Sequence, residues 1–490
     1  MIKYNRLPRN YTILEDWYEY MMGDGYSLSS MSDEEVAFDV FFRKIPNDGG
    51  YAVMAGVDKL IEFINNLKFE EEDLTLFKQY GLSDTFLNKL RDFKFSGDIK
   101  AIPDGTPVFP NEPIITVKAT VLEAQILETA ILSIVNGAME HATGARRIIE
   151  AVPKNVPVME FGARRADGLE AAIDSSIYGV MAGCSGTSNT LAAKMIGLKP
   201  LGTMAHSFVE SFDSEYESFV AFATHHPENA TLLVDTYDTL RSGVPNAIKT
   251  FKYMEDNGID TSHIGIRIDS GDLAYLSKES RRMLDEAGFK NAKICLSNGL
   301  SADVIEALIR QGAVFDSLGV GDNISKPAGR MGCVYKEVAL KKDGKWIPKI
   351  KLSNDTIKIV NPGFKKLYRA YSNKSGYALA DIIMLDDQEI DSSKELKLIC
   401  PQDRLKTSVI EDFSLIEIQR YIFKNGELVY EEPTFDEKKK YCEYEMNKLY
   451  PEVRRELNPH EYRVSCTQEY IDFKENLINE VKENVYRKDV

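Results

Sequence analysis

The sequence predicts an α/β protein made of an incomplete (β/α) barrel, an α/β sheet domain built from N- and C-terminal segments, and a helical C-terminal tail. Three observations carry this. Between Val156 and Gly321 a short apolar strand, a polar or glycine-bearing turn and an amphipathic helix recur, the pattern of parallel strands joined by crossover helices. Polar residues gather just after nearly every one of those strands, which fits strand ends converging on one barrel mouth better than an open sheet with a single switch point. Beyond Gly332 the rhythm changes to β-rich runs separated by Asp343-Gly344 and Asn425-Gly426, dipeptides of tight hairpins. The expected domains are therefore 1–130, completed by about 333–434, then the barrel at 131–332 and the tail at 435–490.

Taken in order, residues 11–22 are aromatic-rich with apolar positions recurring at three and four, which predicts a helix. Residues 36–44 read as a strand ending in two cations, and 97–117 as short hairpins punctuated by Pro and Gly. From Val121 a long helical period runs to Asn136, is interrupted at Gly137, and resumes to about Ala151. Six barrel strands are expected: 156–161, a second in the run that leads to Thr203, and 231–235, 263–268, 293–297 and 315–321. Helices are expected to follow Glu170, Glu215, Pro245, Leu273 and Ser301. From about Phe435 the chain is highly charged with a helical period, which predicts a tail docked on the surface.

The 490 residues are 43% hydrophobic and 28% charged, with 24 Tyr and 23 Phe, enough for more than one core and far from a disordered composition. A formal charge of −16 argues against a nucleic-acid partner, whose phosphates need a basic surface. It leaves room for a local arginine cluster that holds a small anion. Six cysteines without a CxxC pair fit free thiols better than a disulfide frame or a zinc site. Residues 1–5 lack an apolar leader and no run reaches ~18 apolar residues, so a soluble, cytoplasmic chain with no membrane partner is expected.

Several motifs carry possible chemistry. The Gly202-Thr203-Met204-Ala205-His206-Ser207 turn places a histidine after an apolar run, where it is either a core hydrogen-bonding residue or a reactive one. Glu160-Phe161-Gly162-Ala163-Arg164-Arg165 puts an aromatic ring and two guanidinium groups at a strand end, opening a helix where cations oppose the dipole; that points to a bound anion. Asp235 and Asp238 offer two carboxylates suited to ribose hydroxyls or to Mg²⁺, or else one of them caps the next helix. In Arg267-Ile268-Asp269-Ser270-Gly271-Asp272, Asp272 reads as a helix cap, leaving Arg267 and Asp269 as functional candidates. Gly319-Val320-Gly321 is weak as a nucleotide fingerprint but stands where late barrel strands cradle phosphate. The loop from Cys184 through Ser188 to Asn189 enters a helix whose free N–H groups suit an anion or nothing at all.

In order and nearly in wording, Phe161–Gly168, Gly186–Asn189, Gly202–Ser207 and Leu232–Asp238 resemble the nicotinate phosphoribosyltransferases. Phe41-Phe42-Arg43-Lys44, Gly49–Val53, Glu123–Thr129 and Pro362-Gly363 with Tyr368-Arg369 extend the resemblance over most of residues 11–370. It implies a barrel of the type II phosphoribosyltransferase kind and the joining of nicotinate to phosphoribosyl pyrophosphate, with pyrophosphate released on the route to NAD. It also implies ATP and Mg²⁺ as cofactors and a homodimer with shared sites. By motif position, His206 is phosphorylated by ATP, Phe161 stacks on the pyridine ring, and Tyr18 of a second subunit covers its other face. Arg164 neighbours the ring carboxylate, Asp238 and Asp269 the ribose and Mg²⁺, Arg267 the phosphates, and Gly319 to Gly321 the 5′-phosphate. Thr203, Ser207 and Asn298 join the substrate-binding set. Trp17 and Asp322 depart from the leucine and threonine usual at those places. Ser188 stands where the nicotinamide-using relatives have an acidic residue, which favours nicotinate. The rival expectations are a nicotinamide-using enzyme and a catalytically silent sensor of NAD metabolites.

Overall fold

The computed structural model describes residues 10–29, 31–352 and 360–486. The readings made on residues 1–5, and residues 487–490 of the predicted helical tail, lie outside them. The chain divides into two compact units, one of residues 1–140, 329–454 and 458–490, the other of 141–328 and 455–457.

In the second unit six parallel strands form one curled half-barrel sheet, ordered Gly186–Thr187, Val158–Glu160, Ser317–Val320, Lys293–Ser297, Ile264–Ile268 and Ala230–Leu233. The central strands read as near-continuous apolar runs because both faces are covered. Ile264, Ile266, Ile268, Ile294, Leu296, Leu318 and Val320 are all buried. Helices Leu169–Met181, Glu215–His225, Val244–Asp256, Leu273–Glu286 and Ala302–Arg310 intervene where the periodicity puts them. Their starts are local: Asp272, Ser214 and Ser301 each accept a backbone N–H three residues on, satisfying a donor that the first helical turn leaves open.

One expected strand is absent. The residues leading to Thr203 are irregular, and the edge position belongs to the two-residue strand Gly186–Thr187. Pro200 supplies no N–H to a ladder. The segment keeps one bridge, from Leu201 N–H to Thr187 O at 2.8 Å, and its Gly202 carbonyl accepts from the Asn229 side chain at 2.6 Å. The barrel therefore stays open on this side.

Apart from the two-stranded pair Ala52–Val53 and Pro107–Val108, the first unit holds two larger, mainly antiparallel sheets. One is ordered Lys345–Pro348, Cys333–Lys342, Glu35–Phe42, Ile115–Thr120, Asp98–Ala101, Arg420–Lys424 and Glu427–Leu428. Its two hairpin turns use Asp343-Gly344 and Asn425-Gly426 with all four residues at positive φ, the geometry that matches strand twist. The other is ordered Asp403–Ile410, Leu396–Cys400, Val464–Cys466, Ala378–Leu385, Lys365–Ser372 and Phe413–Glu417.

Two expectations are corrected here. The break in the long helix falls at Leu127, between Val121–Ile126 and Glu128–Ala151, and Gly137 lies inside the second helix. The segment from Phe435 is more than a helical tail. Between helices Phe435–Asn447 and Gln468–Tyr486 it contributes Val464–Cys466, which pairs parallel with Ala378–Leu385 and antiparallel with Leu396–Cys400. Five of the six cysteines are buried. Among the described residues no helix is long and apolar enough to cross a membrane.

Candidate active site

Along Ile264–Ile268 the side chains alternate, so Ile268 enters the core while Arg267 and Asp269 project together beyond the strand end. Pairing of Ile268 with Leu296 sets Asp269 beside Ser297 on the next strand. The Arg267 guanidinium donates to Ser297 Oγ at 2.9 Å, to Thr203 Oγ1 at 3.2 Å and to Asp269 Oδ1 at 2.8 Å. Ser297 donates its own hydroxyl to the same Asp269 oxygen. Burial works against ionising Asp269, but the Ser297 hydroxyl, the Arg267 charge and the nearby His206 outweigh it and hold its carboxyl below the usual carboxylate range.

Phe161 follows Val158–Glu160, its N–H bonded to Val320 O at 2.7 Å. Its ring lies on Gly319, where an added Cβ would come within 2.7 Å of two ring carbons. The Arg267 guanidinium carbon stands 5.8 Å from the ring centroid, inside the range of cation–π attraction. Phe161, Arg164, Arg267, Asp269, Asn298, Gly319 and Gly321 line one polar pocket together with Ser297 and Asp322. Asn298 and Gly299 turn the chain there at positive φ.

His206 begins a short helical turn, His206–Glu210, and its Nε2 lies 3.3 Å from Asp235 Oδ1. The Asp235 side chain is buried and its other oxygen accepts from Asp269 N–H at 3.0 Å and Ser270 Oγ at 2.5 Å. One chain of contacts thus runs from His206 through Asp235 to Asp269, Arg267 and Ser297.

Other predicted residues stand differently. Asp238 is an exposed helix cap, its Oδ1 accepting from Leu240 and Arg241 N–H at 3.1 and 2.8 Å, and takes no part in that network. Asp235 and Asp238 therefore do not form the expected two-carboxylate Mg²⁺ site: both oxygens of one are engaged and the other caps a backbone turn. Among the described residues no group of three or more His, Cys, Asp or Glu is arranged to hold a metal ion. Arg164 and Arg165 lie in the turn Ala163–Arg165, ahead of the helix that starts at Leu169, so they do not sit on its N-terminus. Arg164 is exposed, whereas Arg165 pairs with Asp322 at 3.2 Å, which accounts for the carboxylate that departs from the family pattern. Ser188 is half-buried and donates its N–H to Glu160 O at 3.0 Å; Ser207 is exposed. Tyr18 belongs to the first unit, exposed on the helix Trp17–Leu28.

Sequence reasoning missed Ser297, which completes the arginine network, and Glu160, which is fully buried. Ser297 was visible as the residue across from Asp269 once the two strands were put in register.

The model of the nicotinate phosphoribosyltransferase N-terminal domain matches residues 13–136, that of the family 156–375 and that of its C-terminal domain 364–474. A nicotinate phosphoribosyltransferase of Bacillus subtilis is 37% identical to this chain, over 99% of each. The chain belongs to the nicotinate phosphoribosyltransferase family. A nicotinate phosphoribosyltransferase of Caenorhabditis elegans is 32% identical over 94% of this chain and 92% of its own. The crystal structure of human nicotinic acid phosphoribosyltransferase superposes with a TM-score of 0.83 at 25% identity, covering 94% of this chain and 99% of that one. The family is one of enzymes, and family and fold agree with the expectation from the motifs.

Proposed function

We propose that the chain transfers the phosphoribosyl group of phosphoribosyl pyrophosphate to the ring nitrogen of nicotinate. The observation that carries this is an aromatic ring beside a guanidinium network: Phe161 seated on Gly319, with Arg267 between ring and carboxylate. The nitrogen lone pair forms the bond to the anomeric carbon as the carbon–oxygen bond to pyrophosphate breaks and its electrons leave with pyrophosphate. Positive charge grows on the ribose during that exchange, and the ionised Asp269 is suited to stabilise it while Arg267 receives the anionic leaving group. No general base is needed, since the ring nitrogen is already a nucleophile. Mg²⁺ bound together with the substrate would neutralise part of the charge on the leaving pyrophosphate.

Ser188 presents a hydroxyl and no carboxylate, so an anionic ring substituent meets no repulsion from it. Pyrophosphate release with nicotinate, phosphoribosyl pyrophosphate and Mg²⁺ tests the reading. Faster turnover of nicotinamide would move the donor assignment, and no release with or without ATP would favour a sensor. Tyr18 is proposed to reach the site of a second copy, so a chain that sediments as a monomer at assay concentration overturns that part.

ATP enters through His206. Nε2 lies 3.3 Å from Asp235 Oδ1, and a carboxylate can only accept, so in the neutral tautomer that donates to it Nδ1 has a free lone pair, which takes the γ-phosphoryl group as the bond to ADP breaks. His206→Ala should retain slow transfer yet lose ATP hydrolysis and ATP stimulation. An ATP effect that survives the substitution sinks this role.

A further inference from the structure

Glu160 ends the strand Val158–Glu160 with its side chain fully buried, and no part of the transfer reaction described above uses it. Its two oxygens reach in different directions. Oε1 accepts the Gly162 N–H, in the turn that follows Phe161. Oε2 accepts the Thr187 hydroxyl at 2.5 Å, and Glu160 O accepts the Ser188 N–H at 3.0 Å. Thr187 Oγ1 in turn accepts the Asn189 N–H at 2.9 Å. Among the described residues no cation pairs with Glu160, so backbone and hydroxyl donors alone hold a fully buried acid.

The elements it joins have other ties as well: Ser185 N–H reaches Val158 O at 2.7 Å, the Asn189 side chain reaches Ala172 O at 3.1 Å, and Leu201 N–H reaches Thr187 O at 2.8 Å. Gly186–Thr187 is a two-residue edge strand whose ladder touches only Met159 and Glu160, and a strand so short holds its register weakly. On the other side, Gly162 leaves no room for a side chain: a Cβ would lie 2.7 Å from Gly321 O and 2.9 Å from Glu160 Oε1. The carboxyl group is thus wedged beneath the turn that aims Phe161 and Arg164, while it fixes the loop that carries Ser188.

We propose that Glu160 is a positioning residue for donor selection, tying the Phe161 turn to the Ser188 loop so that one buried side chain sets the spacing of the pyridine slot. It touches no reacting atom. The inference rests on the nicotinate reading, and it assigns that slot's width to a residue outside the slot.

The test is a double-mutant cycle with Glu160→Gln, Thr187→Val and the pair, read by steady-state kinetics with nicotinate, nicotinamide and phosphoribosyl pyrophosphate. With its one accepting oxygen held by the Gly162 N–H, which can only donate, the amide of Glu160→Gln turns NH2 towards Thr187 and loses the bond accepted from that hydroxyl, and Thr187→Val removes the hydroxyl itself, so each single change breaks the same bond. Each should raise KM for nicotinate about tenfold and narrow the preference for nicotinate over nicotinamide. KM for phosphoribosyl pyrophosphate should stay within about twofold, and the pair should be no worse than either single change. Thermal melting and sedimentation of each variant establish that it is folded. If Glu160→Gln does not fold, Thr187→Val alone decides through the same KM contrast and selectivity. Equal rises in both KM values, additive effects, or unchanged selectivity in a folded variant overturn the proposal. A wild-type chain that makes no nicotinate mononucleotide overturns the functional reading, and this inference falls with it.

Discussion

Asp269 shows how one carboxylate is shared. Oδ1 accepts from both Arg267 and Ser297, and the backbone N–H of the same residue is held by Asp235. Because its folded-state carboxyl is held below the ordinary value, its ionised form stabilises the fold at neutral pH, and that contribution is lost as acid drops the pH through the folded value. Asp269→Asn should therefore be less stable than wild type at pH 7, and the gap in urea midpoint should shrink below about pH 4. A gap that stays constant or widens in acid would show that the network acts through shape alone. Arg267 and Asp269 were legible because two polar residues spaced by two at a strand end share one direction, with Ile268 turned into the core. Asp238 was not. An acid after a strand and before a helix fits a cap or a ligand equally well in sequence, and only the two N–H groups on its Oδ1 decide between them.

At the level of elements, parallel strands and their helices were legible wherever apolar runs and caps agreed, as at Lys293–Ser297 and Leu273–Glu286. The expected strand before Thr203 failed at Pro200, where backbone chemistry overrides an apolar run. The Gly319-Val320-Gly321 run was read from sequence as a phosphate cradle, but its first glycine has a second duty that only packing reveals. Gly319 lies under Phe161, and a methyl group there would need the space of two ring carbons. Gly319→Ala should tilt or lift the ring, lower kcat/KM for nicotinate about 100-fold, and cost the fold only about 1–3 kcal/mol. Nicotinate kinetics alongside a urea titration would check this. Unchanged kcat/KM with nicotinate would mean that the ring does not form the slot.

Across the whole molecule, long-range pairing is where sequence periodicity runs out. Residues 435–490 are charged with a helical period in the sequence, so their local pattern gives a surface tail. The partners that make part of them a core element are distant in sequence: Val464–Cys466 runs beside Asp381–Ile383, 83 residues earlier, and meets Ile399, 67 residues before Cys466. Cys466, Tyr470 and Ile471 are buried in the same apolar cluster as Leu367, Ile383 and Ile399. Tyr462 donates to Asp381 Oδ1 at 2.9 Å, and Asp381 holds the fully buried Arg369 through two bonds of 2.7 and 2.6 Å. A chain ended after residue 457 would lose that strand, the Tyr462 donor, and the Tyr470 hydroxyl that reaches Pro362 O. The Arg369–Asp381 pair would then be opened to water on one side, and a buried pair that loses part of its surroundings is costly. The truncated chain should melt at least about 10 °C lower or fail to fold, which thermal denaturation checks directly. A docked tail predicts almost no shift, because such a segment contributes little to the core it covers. A melting point within about 2 °C of the full chain would therefore return residues 458–490 to the surface, where their charge pattern first put them.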